Sequence, residues 1–213
     1  MGHEVRLQIF PDDSDVARDW LSGKSDGNAI QHCFHVFGFM RRGMQPWPFI
    51  ERDSPELQIE AQRFIGIAQQ YPWILNGFCD LDRRYDHLIY MLELMADDKQ
   101  QEEMARVAVL GTRQVAGSAI AGQGFPINWS SATEAKVIEG YLNQIDQREL
   151  ANRYLLTAFP AKRNIYKGPD VGQDFETAEL SNFLNTLFLD LSKLLNIYKA
   201  ARQTKFAVIV VRD

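Results

Sequence analysis

The stretch DLDRRYDHLIYML, Asp80 to Leu92, gathers acids, a histidine and two tyrosines at helical spacing. Asp86 and Tyr90 stand one turn apart in it. A carboxylate half-buried beside an aromatic ring has a raised pKa and can give or take a proton. The plainer alternative is a surface aspartate paired with Arg83 or Arg84, because ion pairs perturb carboxylates in purely structural settings as well. Metal chemistry would draw on His32, Cys33, His35, Cys79 and His87. His32 and His35 suit one helical face, yet no zinc spacing of paired Cys or His is completed, and a structural site needs four ligands. No bound metal and no cofactor are therefore expected. The sequence holds no nucleophile elbow, phosphate loop or dinucleotide fingerprint. The glycine-rich run AGSAIAGQG, Ala116 to Gly124, follows no clear strand and lacks the lysine of a phosphate loop, so it reads as a connector. Trp47, Trp73 and Trp129 lie in or near proline-bearing loops, where an indole lines a pocket, faces a partner or packs on the core.

The elements that would position these side chains are unevenly marked. EVRLQIF reads as a short strand ended by Pro11. SDVARDWLSG suggests a helix from Ser14 to about Gly23. Between Gly23 and Pro48, the run AIQHCFHVFGFM suits a buried helix or a strand equally, and GMQPWPF reads as a rigid loop because two prolines fix its backbone. Ser54 followed by Pro55 predicts a helix start, with Leu57, Ala61, Phe64, Ile65 and Ala68 on one face. YPW ends that helix. The next runs from Asp80 to about Ala96, with Leu81, Tyr85, Leu88 and Leu92 turned inward and Asp80 and Asp82 at its positive end. GQGFPINW reads as a loop. Ser131 and Glu134 form a capping box for a helix carrying Ile138, Leu142 and Ile145, and Asp146 with Glu149 opens another. From Phe175 to Arg202, Leu180, Leu184, Leu187, Leu191, Leu194 and Tyr198 make one continuous stripe. KFAVIVV closes the chain as a buried strand.

The 213 residues are 46% apolar and 24% charged, with a net charge of −5. This is a globular composition, and the expected class is α+β: mainly helical, one domain, with a small sheet that includes both chain ends. The acidic balance, clustered at PDDSD, DLD and ADDKQQEE, argues against nucleic acid as a partner. No stretch approaches the roughly 20 apolar residues of a membrane span. The opening residues show no signal-peptide pattern, and two cysteines give no disulfide framework, so reduced thiols in a cytoplasm are expected.

In order along the chain, LDRRYDHLIYML, RVAVLG, INWSSATEAKVIEGYLNQIDQRELANRY, RNIYKG, a long leucine helix and a terminal FAVIVV resemble the YfbM-like family of small bacterial proteins of unknown function. The resemblance covers about Asp80 to Asp213. Matching positions are Asp82, Tyr85, Leu88, Tyr90, Gly111, Ile165 and Tyr166. Ile89 departs from it, since family members often have His there. The part from 1 to 79 is longer than expected and holds QHCFHVFGFMRRGMQPWPF, which has no evident counterpart. The resemblance implies an α+β domain in a bacterial cytoplasm and transfers no catalytic residue. It also implies that the segments of Asp86, Tyr90, Trp129 and Tyr166 come together. An acid and two tyrosine hydroxyls beside an indole would suit a small-molecule site. Two functions are thus in view. One is a non-enzymatic protein-interaction or accessory factor, of the immunity type for example, that binds another protein. The other is a small-ligand binder or enzyme with its pocket at those four residues.

Overall fold

The computed structural model describes residues 4–24, 27–115, 127–156 and 177–212. Both chain ends lie in one sheet, as the β-branched terminal runs predict. Strand β1 (Val5–Phe10) pairs antiparallel with β5 (Ala207–Arg212), from Val5 opposite Arg212 to Phe10 opposite Ala207. Three shorter strands complete it: β2 (Phe78–Asp80), β3 (Arg113–Gln114) and β4 (Asn128–Ser130), in the order β2-β1-β5-β4-β3. The class is α+β and mainly helical.

Residues directly opposite each other in antiparallel strands share a face. The register puts Phe78, Gln8, Ile209 and Trp129 on one face and Cys79, Leu7, Val210 and Asn128 on the other. On the first face, Phe10 packs 4.7 Å from Trp20 of helix α1 (Asp15–Leu21) and 6.3 Å from Phe37 of α2 (Gly27–Arg41). Trp20 in turn meets Phe64 of α4 (Pro55–Gln70), which the four-residue α3 (Trp47–Ile50) precedes. The second face is covered by α7 (Ala132–Leu142) and the long α9 (Thr177–Thr204), and α5 (Tyr85–Glu93) packs on α9. Helices α6 (Lys99–Leu110) and α8 (Gln147–Leu156) pack on α5.

Helix starts follow local chemistry. The hydroxyls of Ser14 and Ser54 accept from the backbone N–H of Ala17 and Leu57, and Ser131 with Glu134 makes both bonds of the capping box. The undecided segment is helix α2. It ends at Gly43, whose φ of +70° lets Gly43 and Met44 donate back to Met40 and Phe39, a Schellman stop. The α9 stripe of Leu184, Leu187, Leu191, Leu194 and Tyr198 is buried.

Other expectations are corrected. Part of GMQPWPF is helical rather than loop, because the fixed φ of proline suits the first turn of α3. NWS is strand β4, held between β3 and β5. The helix expected from Asp80 begins at Tyr85: Phe78 to Asp80 pair with β1 instead, and a 3-10 turn, Asp82–Arg84, intervenes. Asp82 takes φ +50° there, with its N–H donated to the Asp80 carboxylate and its own carboxylate accepting from Arg84. Gly77, just before β2, has no room for a side chain, since a Cβ would lie 2.0 Å from Ile9.

Candidate functional site

A cleft of about 400 Å³ opens between the C-terminal half of α2 and the edge of the sheet at β1 and β2. Helical spacing turns Phe34, Gly38, Arg41 and Arg42 toward it, since residues three and four apart share a helix face. Strand alternation does the same from the sheet for Arg6, Phe78 and Asp80, with Arg6 directly opposite Asp80. Glu4, His35 and Phe39 complete the lining.

The guanidinium of Arg41 lies 3.7 Å from the centre of the Phe78 ring, a cation–π contact. Its Nη1 donates to Oε1 of Gln8 at 3.0 Å. Gln8 is fully buried, and its Nε2 donates to the carbonyls of Ile74 and Gly77 at 2.8 and 2.9 Å. That clamp fixes the amide, and the amide fixes the arginine. Burial brings Arg41 down to about 10, still cationic at neutral pH. Arg42 is exposed, with its guanidinium 5.3 Å from the Phe39 ring centre. Among the described residues no carboxylate forms an ion pair with Arg41 or Arg42. Arg6 pairs with Glu4 at 3.3 Å, and the Asp80 carboxylate is engaged by the Asp82 N–H at 2.9 Å. The cleft thus presents two guanidiniums without an ion-pair partner on an aromatic wall, with Asp80 close enough to act on Arg41 through space. Such groups recognise carboxylates and phosphates, often through two parallel hydrogen bonds.

The residues singled out in the sequence have other surroundings. Asp86 and Tyr90 are half-buried on α5, where Tyr90 meets Tyr154 edge-on at 6.2 Å. Trp129 is 1% exposed on the opposite sheet face, the one that carries Phe78 and Gln8. Tyr166 lies outside the described residues, as do the runs AGSAIAGQG and RNIYKG. The Arg84 side chain is taken by Asp82 and by the buried Asp190 at 2.8 Å. Of the candidate metal ligands, His32 sits 3.5 Å from Asp53, and Cys33 and Cys79 are buried thiols. Burial pushes Cys79 up to about 12, so it is neither nucleophile nor ready ligand. Among the described residues no group of three or more His, Cys, Asp or Glu could hold a metal ion.

The cleft was not anticipated, since the run carrying it could not be assigned to helix or strand. Once it is helical, the spacing Phe34, Gly38, Arg41, Arg42 is the available signal: an aromatic, a gap and two cations on one stripe.

The model of a domain of unknown function (DUF1877) matches residues 49–211. The chain belongs to the DUF1877 family. No curated protein matches it. Among solved structures it is similar to that of YfbM from Escherichia coli, a protein of unknown function, at 14% identity over 99% of each chain and with a TM-score of 0.50. The YfbM-like resemblance holds, and the family match starts well before Asp80. The structural likeness extends over nearly the whole chain, including the segment that had no evident counterpart. In this DUF1877 protein α2 lies upstream of the matched residues while Phe78 and Asp80 lie within them, so the cleft spans both parts. No helix among the described residues is long and apolar enough to cross a membrane.

Proposed function

We propose that this protein works by binding rather than by catalysis, as an accessory factor of the immunity type that meets another protein in a bacterial cytoplasm. One observation carries the reading. Arg41 and Arg42, both without a carboxylate partner, stand at the end of α2, and the chain continues directly into Met44 and Trp47, exposed by 41% and 39%. Arginine, methionine and tryptophan are the types enriched at protein interfaces, and Trp and Arg dominate their binding energy. A partner that presents an acidic group between apolar contacts complements this face.

A photo-crosslinking residue in place of Trp47 tests this in the native cells. The expected result is one discrete crosslinked species that disappears when Arg41 and Arg42 are both changed to Glu. A species insensitive to that charge reversal, or none at all, overturns the reading.

A further inference from the structure

We propose that the group taken up by the cleft is a monocarboxylate on an apolar, preferably aromatic, body. This deepens the binding reading above and rests on it. Three features of the cleft define the ligand. First, its volume of about 400 Å³ lies at the small end of the roughly 300–1,000 Å³ of small-molecule sites, so it holds one compact group. Second, Phe34 and Phe78 meet edge-on at 6.4 Å, and together with Phe39 they give the cleft an apolar wall. An apolar body shields that wall from water.

The third feature is charge. Among the described residues the lining holds three arginines against two carboxylates. One net positive charge is left, and it sits on the α2 side, where Arg41 and Arg42 have no ion-pair partner. A single carboxylate closes that balance and offers two oxygens to the guanidinium forks. A phosphate monoester, at about −1.5 to −2 near neutral pH, overshoots it and meets Asp80 and Glu4 across the same cleft. Like-charge repulsion of this kind is how a site rejects the wrong anion.

Gly38 keeps the cleft open. A Cβ built there would meet only Nη2 of Arg41, at 3.8 Å, an ordinary contact. Larger side chains at this position therefore suit the helix, which favours leucine over glycine, while filling the space beside the guanidinium.

Three probes test the proposal by NMR titration: 3-phenylpropionate, its amide and phenyl phosphate. The acid is expected to shift signals of α2 and β2. The amide should bind about tenfold more weakly or worse, the loss expected for a charged hydrogen bond. Phenyl phosphate should also be weaker than the acid. Gly38→Leu should abolish the shifts without lowering the melting temperature. Arg42→Gln, an exposed change that keeps the fold, should weaken the acid severalfold and leave the amide unmoved. No shifts from the acid, an amide that binds equally, tighter phenyl phosphate, or full binding by both variants would each overturn the proposal. Trp47→Ala separates it from the protein-interaction reading, because it should leave the probes untouched while weakening the partner.

Discussion

Among the described residues, Lys205 has a backbone at odds with its type. It closes α9 with φ +59°, and the N–H groups of Lys205 and Phe206 return to the carbonyls of Arg202 and Ala201. This is the Schellman geometry that Gly43 makes at the end of α2, with a lysine where glycine is the usual choice. An L-residue in this region costs about 1–2 kcal/mol, and glycine gives back part of the gain through its freer unfolded chain. Lys205→Gly should therefore stabilise the protein by about 0.5–1 kcal/mol in urea unfolding. A loss of stability would mean that the lysine side chain contributes more than the strained backbone costs. The opening stretch also resolves at this scale. Two of its acids hold the turn before α5: Asp80 accepts from the Asp82 N–H, and the Asp82 carboxylate accepts from Arg84, which the buried Asp190 anchors to α9.

Helix α9 organises its side of the sheet. Leu187 and Leu191 are 0% and 3% exposed, and α9 packs along α7 as well as against β1, β2 and β5. Truncating either leucine leaves a cavity in the core. Leu187→Ala and Leu191→Ala should each cost about 2–5 kcal/mol, the range for buried leucines. Near-zero change in both, read from chemical denaturation midpoints, would contradict the burial. The same stripe was legible from spacing alone, because it depends only on helical period. The short strands were not. Phe78–Asp80 and Asn128–Ser130 are three residues each, too brief for a period to show, and they are strands because β1 and β5 offer them backbone partners.

Several ionisable groups of the whole molecule are closed off in their neutral form. Burial pushes Cys79 and Tyr141 up to about 12 and raises Cys33, Tyr154 and Tyr198 as well. In the unfolded chain thiols lose their protons near 8.5 and tyrosines near 10. Between those values and the higher folded ones, the unfolded state binds fewer protons, so stability falls as pH rises. The contribution is fully present below about pH 8.5 and drains away toward about pH 12. Melting temperature should drop steadily from about pH 9 to about pH 11. A flat profile across that range would show that these groups reach water in the native state.

What the sequence by itself determined is what neighbours within a few residues decide. Ser14, Ser54 and Ser131 cap the helices that follow them because a hydroxyl reaches only the next turn. The apolar stripes of α4, α5 and α9 appear because period alone writes them, and the β-branched ends pair as the sheet. The family, too, was legible, in the order of several motifs. Only the tertiary structure decided that AIQHCFHVFGFM is helix, since an apolar run satisfies either period until a neighbour chooses a face. It alone placed Trp129 on the sheet face away from α5, because side-chain direction in a strand follows from register, and register follows from partners far along the chain. The cleft is of this kind as well: Arg41 meets Gln8 and Phe78, contacts that exist only once β1, β2 and α2 have packed.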